Sequence, residues 1–256
     1  MPRLIAAQRR ARIVELVNRR GILSVAELAR QAGASLMTIR RDLGLLDGQG
    51  LLRRSHGGAL AMSSPRDVPF RRRVRLELQA KAAIGRAAAA LVRPGEMVLL
   101  DAGTTVVAMV PSLRALRNLT VVTNSVQVLA ALWDRPGIRV VTLGGVARAS
   151  SGSLTGPLAE KALEEIRVDR AFLGTTGITP RWEVSNSDLD LAVLQRRILA
   201  VARESYLLAD HTKFGRTGLA IVSPLKAFTA VITDAHLSPN LLSQLRKHIG
   251  RVLTAR

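Results

Sequence analysis

The stretch from Ser24 to Leu60, SVAELARQAGASLMTIRRDLGLLDGQGLLRRSHGGAL, constrains this chain more than any other. Ser24 followed three residues later by Glu27 is a capping box, so a helix starts at about Ser24. Leu28 and Ala29 continue its apolar face, and Gly33 supplies the positive φ that ends it. Ser35 opens a second helix at once. Ile39, Leu43 and Leu46 fall at i, i+4 and i+7 along it, which makes one buried stripe. Two helices joined by so short a turn must cross steeply. The faces left outward on the second carry Ser35, Met37, Thr38, Arg40 and Arg41. In such a pair the amino-terminal residues of the second helix reach base edges in the major groove.

After Gly50, Leu51 to Arg54 has strand character, His56-Gly57-Gly58 makes a sharp reversal, and Ala59-Leu60 returns as a second strand. This wing sets Arg53, Arg54 and His56 beside a DNA backbone. The expected unit is a winged helix-turn-helix, and its partner is double-stranded DNA. Arg40 and Arg41 can each grip guanine bidentately or hold a phosphate; only the first use reads sequence, and both stay open here. A merely solvated arginine face is the blander reading. Capping, turn spacing and charge placement agree against it.

Charge balance points the same way. Residues 1–74 hold fifteen Arg, no Lys and five acids, an excess of ten out of the chain's net +19. An excess of that density attracts a polyanion and makes binding salt-dependent through counterion release. An anionic membrane surface would attract it as well. No stretch approaches the roughly 20 apolar residues of a spanning helix, however, and no membrane partner is expected. A chain of 256 residues, 48% hydrophobic, buries a sizeable core in one or two domains. Zero cysteines exclude disulfides and a thiol nucleophile. The first twelve residues carry charges between short apolar pairs, unlike a signal peptide, so a cytoplasmic location is expected. The four histidines, His56, His211, His236 and His248, show no ligand spacing, so no metal or cofactor is expected, and His236 and His248 read as ordinary surface or turn residues.

Leu4 to Arg20 reads as a supporting helix through Ile13, Leu16 and Val17, and Ile22-Leu23 as a short extended segment. Met62 to Phe70 has two prolines and no periodicity, which marks a linker. The expected domains are residues 1–60, a linker over 61–74, and 75–256. Arg71 to Leu91 resumes a helical pattern, with Val74, Leu78, Ala82 and Gly85 on one side. From Met97 onward short apolar strands alternate with helical segments. Strands are expected at Met97 to Leu100, Leu119 to Thr123, Ile138 to Leu143, Arg170 to Gly174, Tyr206 to Asp210 and Phe228 to Asp234; helices begin near Thr104, Ser125, Pro157 and Asp188. The fold class is α/β, with a largely parallel sheet and helices on both faces. Ligands of such sheets sit outside the carboxyl ends of the strands.

Those ends are chemically alike. They carry Asp101-Ala102-Gly103-Thr104-Thr105, Thr123-Asn124-Ser125, Gly144-Gly145, Gly174-Thr175-Thr176-Gly177 and Asp210-His211-Thr212-Lys213. Glycine lets backbone N–H groups approach an anion, hydroxyls add donors, and helix amino termini add partial positive charge. Asp101, Asn124 and Asp210 suit sugar hydroxyls, and Lys213 is a compact cation. A small polyol phosphate fits this inventory. Any single loop of this kind is more often an ordinary turn; five in register mark an anion site.

The amino-terminal TIRRDL and LLRRSHGGAL, with DAGTT, VVTNS, LGG and ADHTKFGR downstream, resemble the DeoR family of bacterial transcriptional regulators over almost the whole chain. The resemblance implies a repressor of carbohydrate-metabolism genes that releases operator DNA when a phosphorylated sugar fills the carboxy-terminal domain. It also implies a homo-oligomer and a fold similar to ribose-phosphate isomerase. By position Thr38, Arg40 and Arg41 match the family's recognition helix, and Asp101, Gly103, Thr104, Thr105, Asn124, Asp210 and Lys213 match its effector motifs. One departure stands out: where the family carries a glutamate and, four residues on, a lysine, this chain has Leu191 and Gln195. Either the ligand response is altered or a surface ion pair of little energetic weight is lost. Asp190 neighbours the missing acid but is turned about 100° around the helix. A second function stays in play, a sugar-phosphate isomerase carrying a DNA-binding module, with Asp101 or Asp210 as base and Lys213 steadying an enediolate.

Overall fold

The computed structural model describes residues 5–20, 22–49, 51–55, 57–60 and 70–256, with the side chains of residues 18–20, 22, 53–55 and 60 outside that description. Contacts divide the chain into two units, Met1–Val68 and Pro69–Arg256. In the first, α1 (Ala6–Arg20), α2 (Val25–Ala32) and α3 (Leu36–Gly48) pack around Ile13, Leu16, Val17, Leu28, Ile39, Leu43 and Leu46. The strand β1 (Ile22–Ser24) precedes α2, and β2 (Arg53–Ser55) and β3 (Gly58–Leu60) form the wing. All three join one antiparallel sheet in the order β1-β3-β2. Both helix starts are built as their caps require. Ser24 Oγ accepts from the Glu27 N–H at 3.2 Å while Glu27 accepts from the Ser24 N–H at 3.0 Å. Gly33 stands at φ 61°, where a side chain would be strained. Asp42 of α3 is buried and paired with Arg9 of α1 at 2.7 Å, a tie that no local pattern announces.

The second unit opens with α4 (Phe70–Arg75), α5 (Leu78–Ala89), β4 (Met97–Leu100), α6 (Thr104–Val107), α7 (Val110–Leu113) and β5 (Leu119–Thr123). It continues through α8 (Val126–Leu132), β6 (Ile138–Thr142), β7 (Val146–Arg148), β8 (Ser153–Thr155), α9 (Pro157–Glu164), β9 (Val168–Leu173), β10 (Gly177–Ile178) and β11 (Glu183–Asn186). It ends with α10 (Leu189–Val201), β12 (Ala202–Leu208), β13 (Ala220–Pro224), β14 (Ala230–Asp234), α11 (Pro239–His248) and β15 (Val252–Ala255). Seven strands form one sheet in the order β15-β14-β12-β9-β4-β5-β6, every pairing parallel. Alternation along each strand feeds two cores. Val98, Leu100, Val121, Phe172 and Tyr206 pack with α5, α6, α7 and α8 on one face. Leu99, Val122, Ala171, Leu173 and Leu207 pack with α9, α10 and α11 on the other. A parallel sheet covered on both sides is the expected architecture.

The details differ in several places: β12 begins at Ala202, ahead of the expected Tyr206, and α11 and β15 follow the last expected strand. The helix expected over Arg71 to Leu91 is broken at Leu76 and Glu77, the latter at φ 51°. The buried face of α5 also runs through Ala80, Ala83, Ile84 and Ala88, while Leu78 is 61% exposed. The helix expected from Thr104 is a single turn, too short to sum its peptide dipoles. A second sheet, β10-β11-β13, and the hairpin of β7 and β8 stand outside the alternation read from the sequence. The segment Met62 to Pro69, and with it most of the expected linker, lies outside the described residues; the chain is already helical at Phe70.

Candidate functional site

On α3 the burial of Ile39, Leu43 and Leu46 turns Ser35, Met37, Arg40 and Arg41 to solvent, Met37 at 72% exposure, and leaves Thr38 half-buried. Ser35 Oγ receives the Thr38 N–H at 3.2 Å and lies 2.9 Å from Thr38 Oγ1, so both hydroxyls are spent on the cap. The Arg53 and Arg54 side chains and all of His56 lie outside the described residues, though the backbone of β2 pairs antiparallel with β3, Arg53 opposite Leu60 and Arg54 opposite Ala59.

In the second unit the sheet order reverses between β4 and β9: the chain runs from β4 outward to β5 and β6, then returns to β9 on the other side. A crevice opens outside the strand ends at such a reversal. Asp101 follows β4 and Gly174 follows β9, so the crevice is where they meet. Asp101 is fully buried and accepts four hydrogen bonds. Oδ1 receives the Ala102 N–H at 2.7 Å and Asn124 Nδ2 at 3.1 Å; Oδ2 receives Gln195 Nε2 at 2.6 Å and the Gly174 N–H at 3.3 Å. Among the described residues no cation pairs with it. Burial pushes its carboxyl above the usual range, and the donors from Gln195, Asn124 and the backbone offset only part of that.

This network corrects the bland reading of the family departure. Leu191 and Gln195 are both buried, whereas Asp190 is exposed and takes neither place. Gln195 also donates to the Gly174 carbonyl at 2.9 Å and accepts from Asn186 at 3.2 Å, so it joins β4, β9 and β11 at the centre of the site. A surface pair was never at stake.

The residues expected at the rim fall into two groups. Asp101, Thr105, Thr123, Asn124, Ser125 and Asp210 are buried, and most of their polar atoms are used within the fold. Thr123 Oγ1 donates to the Leu100 carbonyl at 2.6 Å, Asn124 Oδ1 accepts from the Ala102 N–H at 3.0 Å, and Ser125 caps α8 at 3.3 Å. Thr104, Gly144, Gly145 and Lys213 remain partly open, together with Thr175, Thr176 and Thr212, while Gly103 is buried against Gly174. Gly144 and Gly145 stand at φ 71° and 102°, a conformation that points backbone groups where L side chains rarely allow.

Beside this rim the sequence reading missed a cluster of cations. Lys81 on α5 is buried and donates to the Arg73 and Leu76 carbonyls at 2.5 and 2.6 Å, which satisfies the carboxyl end of α4 and holds the break there. Burial lowers its pKa to about 8, with Lys213 adding repulsion. Lys213 is likewise lowered, by burial first; Asp210 opposes the shift and Arg216 and Arg73 add to it. Lys213 and Arg73 thus act against the charge on Lys81, and Arg216 and Arg73 against that on Lys213, while Asp210 and Glu77 oppose them. Asp210 Oδ1 accepts from the Thr212 N–H and hydroxyl, while Oδ2 is buried without a hydrogen-bond partner. Two depressed lysines beside a half-satisfied carboxylate are a setting that an anion bearing hydroxyls would complete.

His236 and His248 are exposed, as the sequence reading has them, but both have partners. His236 sits in a turn and with His211 meets Asp234, each Nδ1 lying 2.9 Å from Asp234 Oδ2. His248 stacks on Trp182 at 4.6 Å between ring centroids.

Comparison with known proteins agrees with this division. Residues 9–65 match the model of the DeoR-like helix-turn-helix domain, and residues 76–235 match that of the DeoR C terminal sensor domain. The chain is 34% identical over 254 residues to an uncharacterized HTH-type transcriptional regulator of Escherichia coli, YgbI, covering 99% of each chain. It is 32% identical over 241 residues to the glycerol-3-phosphate regulon repressor of Escherichia coli, covering 94% of this chain and 96% of that one. Among solved structures, ribose 5-phosphate isomerase A from Methanocaldococcus jannaschii aligns with 52% of this chain and 53% of its own at a TM-score of 0.39 and 18% identity, a likeness that carries no argument. No helix among the described residues is long and apolar enough to cross a membrane. With both of its units matched and close to its whole length covered, the chain belongs to the DeoR family of transcriptional regulators.

Proposed function

We propose that this regulator is a cytoplasmic, homo-oligomeric repressor of carbohydrate-metabolism genes that lets go of its operator when a phosphorylated sugar enters the crevice of the second unit. The observation that carries the ligand class is the pair Lys81 and Lys213, both depressed by burial, beside Asp210, whose Oδ2 has no hydrogen-bond partner among the described residues. A dianionic phosphate offers these two lysines a counter-charge, and a neutral sugar does not. The name of the glycerol-3-phosphate regulon relative agrees with such a ligand. Thr104, Gly144, Gly145, Thr212 and Lys213 would meet the ligand directly. Asp101, Gly103, Thr105, Thr123, Asn124 and Ser125 would hold the crevice in shape, and Asp210 would receive a ligand hydroxyl through its unpartnered Oδ2. The domain division follows: residues 1–60 read DNA, and residues 75–256 sense and assemble.

Sensing is favoured over isomerisation by the state of Asp101. A general base needs an accessible oxygen against the substrate carbon. Both oxygens of Asp101 are buried and engaged by donors, and Gln195 offers an amide where an acid–base group would be needed. On DNA, Ser35, Met37, Thr38, Arg40 and Arg41 would face the major groove, with Arg53, Arg54 and His56 at the flanking backbone.

The test is operator affinity of single variants. Arg40→Ala and Arg41→Ala should each weaken binding without unfolding the unit, because both side chains are exposed. Loss of a base contact costs roughly 1–3 kcal/mol and relaxes one operator position, whereas loss of a phosphate contact weakens all sequences alike. Unchanged affinity in both variants would remove α3 from the interface. Lys213→Ala should keep DNA binding and lose the response to ligand.

A further inference from the structure

The geometry points to a binding site for a divalent first-row transition ion formed by His211, Asp234 and His236, next to the sensor crevice but independent of how the crevice is read. The fold makes the site from distant residues. β12 and β14 pair in parallel, with Leu208 opposite Ile232, so the turn after β12 and the end of β14 emerge side by side. His211 lies in that turn, and Asp234 is the last residue of β14. His236 follows two residues later.

Two imidazole nitrogens and one carboxylate oxygen converge there. Nδ1 of His211 and Nδ1 of His236 each lie 2.9 Å from Asp234 Oδ2, and the donor atoms are all within 4.8 Å of one another. Metal–ligand bonds of about 2.0–2.2 Å at tetrahedral angles put neighbouring donors about 3.4 Å apart, so an ion would enter by spreading the two ring nitrogens from Asp234 Oδ2 by about half an ångström. Two neutral imidazoles with a carboxylate suit Zn²⁺, Co²⁺ or Fe²⁺, while Mg²⁺ and Ca²⁺ favour all-oxygen sets.

The carboxylate is also anchored independently of any ion. Asp234 is 2% exposed, and it accepts the His211 N–H at 2.7 Å through Oδ1 and the His236 N–H at 3.1 Å through Oδ2. Backbone donors of this kind orient a metal-binding carboxylate. Oδ2 thus meets one backbone N–H and two ring nitrogens, and the rings are able to bind an ion instead. Access is open: the His236 side chain is 71% exposed, and a cleft of about 410 Å³ beside it is lined by Ala80, Ala83, Arg86 and Asp234. Among the described residues this is the one group of His, Asp and Glu side chains arranged for such an ion.

The experiment uses the untagged full chain, stripped with a chelator and titrated with Co²⁺, with visible absorption as the readout and Zn²⁺ as competitor. One equivalent of Co²⁺ should bind with d–d bands that Zn²⁺ abolishes. His236→Ala and His211→Ala should each weaken uptake by more than the roughly 10- to 100-fold that changes outside a coordination sphere cost. His248→Ala, which alters a histidine outside the group, should bind as the parent does. Far-ultraviolet dichroism of His236→Ala, whose side chain is mostly in solvent, checks that the fold is kept. Absence of stoichiometric uptake by the parent chain, or uptake unchanged in a folded His236→Ala, would overturn the site. Neither result bears on sugar-phosphate release, which is measured on DNA.

Discussion

The two edges of the same parallel sheet handle buried charge in opposite ways. Toward the amino ends of the strands, Arg170 is bonded to Glu96 at 3.0 Å, to Glu204 at 2.5 Å and to the Tyr206 hydroxyl at 2.8 Å. Its partners raise its pKa, although burial acts against them. At the carboxyl ends, Asp101 has amides for partners and, among the described residues, no cation, while Lys81 is depressed by burial and by Lys213, and Lys213 by burial and by Arg216 and Arg73. One edge is electrostatically closed, and on the proposed reading a ligand completes the other. Charge that the fold has not neutralised is the signature of a site; a matched network is the signature of a brace.

Breaking the brace should have the largest effect. Arg170→Met strands two carboxylates against the sheet, and losing one partner of a buried pair typically costs about 3–5 kcal/mol. Urea unfolding should register a loss of that order, with operator release by ligand retained in whatever protein stays folded. A loss well under about 1 kcal/mol would mean the Arg170 network is solvated and the contrast between the edges is false.

The open edge is probed through its pH dependence. An acid whose pKa is raised on folding binds more protons folded than unfolded, so stability falls as pH rises from about 3.8 toward the folded value. Asp101→Asn should remove that decline. Gln195→Lys should remove it too, by giving Asp101 the counter-charge that Arg170 already has. Parallel stability curves for parent and both variants between pH 4 and 8 would show that Asp101 carries no folding penalty.

A smaller effect is expected at Lys81. Its pKa of about 8, against 10.5 for the free side chain, means that the folded state binds fewer protons than the unfolded state between those values. The parent should therefore gain stability relative to Lys81→Met as pH rises through that window. Thermal unfolding at pH 7.5 and pH 10 checks this. A difference that stays constant would place Lys81 in ordinary solvent contact.

What the sequence made legible follows from how local each signal is. The caps at Ser24 and Ser35, the stop at Gly33 and the stripe through Ile39, Leu43 and Leu46 are written within a few residues, and α2 and α3 follow them. The strands of the parallel sheet are apolar runs because both faces are buried, so β4, β5, β6, β9, β12 and β14 were readable. β15 is four residues long and β10 only two, and their pairing partners come from elsewhere in the chain, so neither left a pattern. The rim was located because glycines and hydroxyls follow one strand after another. Its electrostatics were hidden, since Gln195 meets Asp101 across 94 residues and Lys81 meets Lys213 from another helix. His211 and His236 were hidden in the same way: they are ligand-spaced in the fold and not along the chain.

The central claim is that completing the open edge with a phosphate releases DNA. The most direct measurement is fluorescence anisotropy of DNA from immediately upstream of the chain's own gene, bound by the full-length protein at fixed salt and titrated with phosphorylated sugars and their parent sugars. Release by one phosphorylated sugar, not by its parent, and lost in a Lys213→Ala variant that still binds DNA, is the predicted result. Tight binding that no phosphorylated sugar disturbs, or release in which the parent sugar works equally well, would contradict it.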